Sequence, residues 1–491
     1  MNTFDASNKP VRNTYDSDVP SNLLEFMLKG WNPATRKPPA VLKNARNFQQ
    51  RRERLSKQFP GELLVVPTGH MKVRSNDTHY AFRPGTDFYY LTGAMEPDAV
   101  LVLVPDGDKH ETLLFVDPNP GKTDASFFTD RMKGELWEGP RLGVPESERR
   151  YVIACRPLPE LESTLKAALA VPNARARILR GHSAKAEAVI DRGGEAQLVQ
   201  DKALAEFLSE MRLLKDADEV KALLSAIEAT HRGFEDVIAR LKTAKTEREL
   251  EGVFWTRARM EGNDVGYTSI VAAGTHACTL HWKKNDGAIR QGDLLLLDAG
   301  VEGNTLYTAD ITRTLPISGT FSKEQREIYE LVLEAQQAAL QQVRPGNDFM
   351  APNVAAMAVL AKGLERLKIL PTSAEDALRE ENQFYRRYSL HNVSHMLGLD
   401  VHDCAQARAQ NYKYGKLQAG MVLTVEPGLY FQTDDLTVPK KYRGIGVRIE
   451  DDILVIPRGH RVLSAGLPSD PGEVERWMKQ VWKRGARAAR A

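Results

Sequence analysis

Three times in the second half of this 491-residue chain, an apolar strand-like run ends on a carboxylate. Four leucines, Leu294–Leu297, precede Asp298. Val422, Leu423 and Val425 lead into Glu426, and Val447 and Ile449 into Glu450. A fourth acid, Asp310, sits in the segment TADITRT. A charge at the edge of a buried strand is costly unless it is paired or bound to a metal. Four such carboxylates cannot all stay ionised in one dry pocket, because like charges push several of their pKa values up. Two divalent cations remove the difficulty, since their charge of +4 cancels the −4 of Asp298, Asp310, Glu426 and Glu450. His395, in HNVSHMLGLDVHD, adds one nitrogen to a shell otherwise made of oxygen. That donor set suits Mn²⁺ best on hardness, with Co²⁺ or Zn²⁺ next. Two neighbouring cations can share a bridging hydroxide and polarise a carbonyl or phosphoryl oxygen, which implies hydrolysis. Singly, each residue has a plainer reading: a strand-end Asp as a turn residue, a lone His as a satisfied one, Glu450 as the partner of Arg448 two residues before it. Together, in this order, the plainer readings lose.

The rest of the chain is read around that centre. Its length suggests two to four domains. The polar, proline-bearing stretch 1–40 reads as an extension or arm. Residues 41–213 alternate in character: a helix over Leu42–Leu55, strands at Leu63–Pro67, Phe88–Thr92, Ala99–Val104 and Thr112–Val116, helices at Glu160–Leu169 and Lys185–Val189. This is an α/β domain with a mixed sheet. Helical spacing over Leu204–Leu213 and Asp218–Ile238 places a boundary near Leu213–Asp216. The domain 214–470 then has strands at Ile270–Ala273, Asp293–Asp298, Met421–Glu426 and Val447–Val455, and helices at Lys323–Gln342 and Asn353–Arg366, an α+β arrangement. The end, 471–491, carries Trp477 and Trp482 among basic residues and reads as a solvated basic tail, in preference to a docking helix or a subunit contact.

Several functions are excluded. The net charge of +2 argues against nucleic-acid binding. No apolar run approaches the ~20 residues that span a bilayer. The first residues carry acids and amides where a secretory leader needs an apolar core. Three scattered cysteines fit a reducing compartment, so the reading is a cytoplasmic protein. Gly121-Lys122-Thr123 lacks the earlier glycine of a P-loop, because position 116 is Val116; His391 and His395 are four apart, but Asn392 stands where a zincin needs Glu; Ser394 is not in a nucleophile elbow.

At the acid and histidine segments the chain resembles the pita-bread metallopeptidases, which include methionine aminopeptidase, prolidase and aminopeptidase P. The motifs DAG, DITRT, SHxLGLDVHD, EPGLY and RIED all stand here, and RNFQQRRERL, RSNDTHYAFRPGTDFYYLTG and EPDAVLVLVP look like the amino-terminal domain of aminopeptidase P. The resemblance implies that Asp298, Asp310, His395, Glu426 and Glu450 ligate two metals, with Asp310 and Glu450 bridging. It implies that Glu426 is also general base, that His402 and His281 contact substrate and stabilise the tetrahedral intermediate, and that His391 lines a pocket for the proline ring. Arg448, and Thr312 in a similar part, would orient a ligand. Tyr89 would reach the site of a neighbouring subunit, in a dimer or tetramer. The implied activity is hydrolysis of the first bond of oligopeptides with proline in second position. Prolidase, which cuts only Xaa-Pro dipeptides, and a non-catalytic peptide-binding relative are the alternatives. The first hypothesis has a chemical logic: an Xaa-Pro bond has a tertiary nitrogen and no N–H for an ordinary peptidase to grip. One departure stands out. Asp298 and Asp310 are twelve residues apart, one more than usual in the family, and the turn of the hairpin between them is expected to absorb the extra residue.

Overall fold

The computed structural model describes residues 19–32, 37–191 and 194–488, leaving out the side chains of 485–488. Most of the predicted arm, and the last three residues of the tail, lie outside the described residues. The chain separates into two compact units, 1–204 and 205–491.

In the first unit, helix α1 (Ala45–Gln58) leads into β1 (Glu62–Pro67), α2 (Thr86–Thr92), β2 (Val100–Asp106), β3 (Lys109–Val116), β4 (Ala154–Pro157), α3 (Leu161–Leu169) and β5 (Arg175–Ile178). The five strands form one mixed sheet in the order β4-β3-β2-β1-β5, with β1/β5 and β3/β4 parallel and the other pairs antiparallel. Val65, Val102, Leu113, Phe115 and Ile178 on one face pack against Leu161 and Leu165 of α3 and Ile190 of the following short helix.

One segment departs from the sequence reading. Phe88–Thr92 was expected as a strand because aromatic residues favour the pleated surface. It is the body of helix α2, closed at its end by Gly93 in the left-handed region at φ +69°. Phe88 to Thr92 are all buried, so core packing overrides local propensity. Tyr89 is buried with its ring edge-on to Phe48, which leaves little of it to reach another subunit.

In the second unit, α4 (Ala217–Leu241) and α5 (Glu247–Glu261) precede β6 (Ile270–Ala273), β7 (Leu294–Ala299) and β8 (Ile311–Pro316), an antiparallel sheet in the order β8-β7-β6. Helices α6 (Lys323–Leu340) and α7 (Ala351–Arg366) pack on each other. Then come β9 (Val422–Val425), β10 (Gly428–Tyr430), β11 (Gly446–Arg448), β12 (Asp451–Ile456) and β13 (Gly459–Val462). The expected single strand Val447–Val455 is split. β11 pairs with β10, while β12 pairs with β9 and β13. Two antiparallel strands therefore change sheet at the same level, one at Glu426 and the other at Glu450.

Over its described residues the carboxyl-terminal segment is not a solvated basic tail. Residues Pro471–Ala488 form helix α8, whose Val474, Trp477, Met478 and Val481 are buried and which packs on α4. The Trp477 indole N–H donates to Glu235 at 3.0 Å, and that of Trp482 to the Ile238 carbonyl at 2.6 Å. The basic residues mask an apolar stripe that covers α4.

Candidate metal centre

Each acid of the cluster sits where a strand ends or breaks. Asp298 is the penultimate residue of β7, opposite Thr312 of β8, and Asp310 immediately precedes β8. The chain between them turns at Gly303–Tyr307. The Tyr267 hydroxyl lies 2.7 Å from Asp298 Oδ1 and 2.5 Å from Asp310 Oδ1. The twelve-residue interval therefore does not slip the register. Glu450 is held by its backbone: its N–H donates to the Thr312 carbonyl at 3.1 Å, and its own carbonyl accepts from the buried Arg313 at 2.6 Å. The Glu450 carboxylate accepts from Thr312 Oγ1 at 2.6 Å. Glu426 is held by its N–H, which donates to the Val393 carbonyl at 2.8 Å.

His395 faces the acids. Its Nε2 is 3.3 Å from Asp310 Oδ2 and 3.4 Å from Glu426 Oε1, while its Nδ1 lies 3.2 Å from the Met396 carbonyl. That carbonyl favours the tautomer with the proton on Nδ1, leaving Nε2 to ligate. Ligand atoms of Asp310, His395 and Glu450 lie within 4.8 Å of one another, the only such grouping of three among the described residues. Asp298 is turned to Arg448, whose guanidinium donates at 2.5 Å to Asp298, at 2.9 Å to the Tyr430 hydroxyl and at 3.2 Å to Thr312 Oγ1.

The electrostatics are those of acids short of positive charge. Burial, reinforced by Asp310, Glu426 and Asp298, holds the Glu450 carboxyl well above its ordinary range. Burial, with Asp310 and Asp298 adding to it, raises Glu426 to about 7. Burial lowers His395, but Asp310 and Glu426 outweigh it and bring the imidazole to about 9. Arg448 answers Asp298, and the remaining acids are accommodated by keeping protons among them. Divalent cations fit: the donors are hard oxygens plus one imidazole, and cations would take the place of those protons.

Three further histidines surround the cluster. His391 is pushed down to about 4, chiefly by burial, and its Nε2 is 2.8 Å from the Tyr430 hydroxyl. The His402 ring stands edge-on to that of His395 at 4.4 Å, and burial lowers its pKa. His281 is exposed, and a charge on it would lower both His391 and His402. Two tyrosines that bind the cluster were not singled out from sequence. Tyr430 stood within the EPGLY motif, whereas Tyr267, in DVGYTSI, carries no local signal beyond lying just before a strand.

A strand-borne nest of four acids and one imidazole, preceded by a separate α/β unit, defines a class. Residues 221–457 match the profile described as Metallopeptidase family M24, and residues 48–178 match Aminopeptidase P, N-terminal domain. The chain is 48% identical to Xaa-Pro aminopeptidase 1 of Streptomyces coelicolor, over 96% of this chain and 94% of that one. It is 33% identical to Xaa-Pro aminopeptidase of Escherichia coli, over 88% and 97%. Its fold is similar to that of E. coli aminopeptidase P solved with the inhibitor Pro-Leu, with a TM-score of 0.79 at 31% identity, over 91% of this chain and 100% of that one. The chain belongs to the aminopeptidase P group of metallopeptidase family M24.

Proposed function

We propose that this protein is a metal-dependent aminopeptidase that removes the first residue of oligopeptides with proline in second position. The observation that carries the reading is the convergence of Asp310, His395 and Glu450, flanked by Asp298 and Glu426, in a cluster with more acids than cationic partners. Asp298, Asp310, His395, Glu426 and Glu450 would hold two divalent cations, Mn²⁺ by preference for so oxygen-rich a set. When bound, such cations polarise the scissile carbonyl and acidify the attacking water. Glu426 accepts the proton of that water and passes it to the leaving proline nitrogen. His402 and His281 donate to the oxygen on which negative charge develops. His391 stays neutral against Tyr430 and offers an uncharged face to the proline ring. Arg448 and Thr312 fix the Asp298 and Glu450 carboxylates so that little reorganisation accompanies the reaction.

Residues 41–213 act as the amino-terminal domain and 214–470 as the catalytic one. We further place the enzyme in the cytoplasm as a dimer or tetramer; three cysteines without disulfides support the compartment, and no described helix is long and apolar enough to cross a membrane. The test is product analysis of an Xaa-Pro-Yaa tripeptide and an Xaa-Pro dipeptide, with and without Mn²⁺. Metal-dependent release of the first residue from the tripeptide is expected. Cleavage of the dipeptide alone would make it a prolidase, and no cleavage with metal bound would make it a binding protein.

A further inference from the structure

Behind the histidine loop lies a second buried charge cluster, made by residues that the mechanism above does not use. The Asp403 carboxylate is 1% exposed. Its Oδ1 accepts from Arg212 Nε at 2.9 Å, and its Oδ2 from Lys215 Nζ at 3.0 Å. Lys215 also donates to the Arg212 carbonyl at 2.6 Å, and its own backbone N–H to the Gly420 carbonyl at 2.8 Å. Both cations come from the segment between two helices, at the entry to α4, and both are buried.

The segment they grip is short and closed. The Asp403 N–H donates to the Met396 carbonyl at 2.9 Å, so residues 396–403 form a loop tied at its base. His395 precedes one end of that tie and His402 the other. The His395 end is fixed separately, because its N–H donates to Thr424 Oγ1 and its carbonyl accepts from the Thr424 N–H. The His402 end runs directly into Asp403, the residue that closes the tie. Gly398 shows how closely the loop is seated: a Cβ there would lie 2.2 Å from Asp403 Oδ2 and 2.9 Å from Lys215 Nζ.

We infer that Asp403, clamped by Arg212 and Lys215, is a positioning residue for the known class of reaction: it fixes the backbone that aims His402 at the substrate, and has no part in holding metal. The inference rests on the proposed role of His402. A carboxylate held by two buried cationic partners leaves its backbone little room to move, and a displacement of ~1 Å at a substrate contact can cost ~100-fold in rate.

The test is a double-mutant cycle on the full-length, metal-loaded enzyme with an Xaa-Pro-Yaa peptide, following kcat, KM and bound metal. Asp403→Asn is expected to lower kcat/KM by ~100-fold, mainly through kcat, with metal content unchanged. In the His402→Ala background the same change should cost less than ~3-fold, because the group it aims is gone. A full loss in that background, or a parallel loss of metal, overturns the inference. A His402→Ala enzyme with wild-type rates overturns the His402 reading itself and the inference with it, while leaving the metal centre standing. If Asp403→Asn does not fold, Lys215→Met, which keeps the Arg212–Asp403 pair, decides the matter in the same cycle: ~10-fold loss alone and no further loss beside His402→Ala supports the inference, and undiminished kcat/KM overturns it.

Discussion

Two groups of carboxylates lie in the interior of the second unit, and their pKa values move in opposite directions. Glu426 and Glu450 are raised. For Asp403 burial also raises the pKa, but Lys215 and Arg212 outweigh it and hold the carboxyl at about 2. The difference is what faces the acid. Asp403 has two cations at hydrogen-bond distance. The ligand cluster has one guanidinium, Arg448, bonded to Asp298, and an imidazole shared between Asp310 and Glu426. The acid of the first cluster has its countercharge within the fold. The second cluster is completed only by something from outside the chain.

The largest expected effect comes from breaking the incomplete cluster. Asp310→Ala or Glu450→Ala should abolish hydrolysis, since each removes a donor from the central grouping and no neighbour can replace it. Assay of the purified variant with excess Mn²⁺ checks this, and near-normal turnover by either would end the metallopeptidase reading.

Stability should separate the two clusters next. In the metal-free protein, Asp403→Asn leaves two buried cations uncompensated and should cost ~3–5 kcal/mol, the usual cost of breaking a buried pair. Glu450→Gln replaces a carboxyl that holds its proton in the metal-free fold with a neutral amide of the same shape, and should leave the metal-free protein unchanged or up to ~1 kcal/mol more stable, because no proton need be taken up there on folding. Chemical denaturation of the two variants makes the comparison; equal destabilisation would mean that the clusters do not differ in kind.

A smaller effect is expected at Tyr267, whose hydroxyl touches two acids at once. Tyr267→Phe should weaken metal binding by ~10–100-fold, as loss of a hydrogen bond to a ligand usually does. Metal titration of the apoprotein measures it, and an unchanged affinity would show that the hydroxyl serves only the metal-free arrangement.

How much of this was legible in the sequence depends on range. The long helices, such as Lys323–Leu340 and Ala351–Arg366, were readable from periodicity to within about two residues at each end. The strand-end acids were visible because a charge after four leucines is anomalous in one dimension. Neither the split of Val447–Val455 nor the helix at Thr86–Thr92 was visible. The first depends on which partner strand each half meets, and the second on a core that rewards buried aromatics whatever their backbone. The clamp on Asp403 was equally hidden: Arg212 and Lys215 lie almost two hundred residues away, and an Arg or Lys in a polar linker gives no sign that it will be buried.

The last comparison is the dependence of stability on pH, where the two clusters should oppose each other. Glu426 rises from 4.5 to about 7 and His395 from 6.5 to about 9 on folding without metal. Each therefore binds its proton more tightly in the native state. Its contribution is complete below the unfolded value and is lost as pH rises through the folded one. Asp403, lowered from 3.8 to about 2, contributes above 3.8 and is lost as pH falls through about 2. The melting temperature of the metal-free protein should accordingly fall from about pH 5 to about pH 9. With saturating Mn²⁺ the slope over that interval should reverse, because ligands must shed their protons to bind. Asp403→Asn should flatten the acid limb and leave the neutral one alone. Scanning calorimetry in small pH steps, with and without metal, reads all three. A metal-free curve that stays level between pH 5 and 9 would mean that the acids already have their countercharge within the fold, and the contrast between the two clusters would be gone.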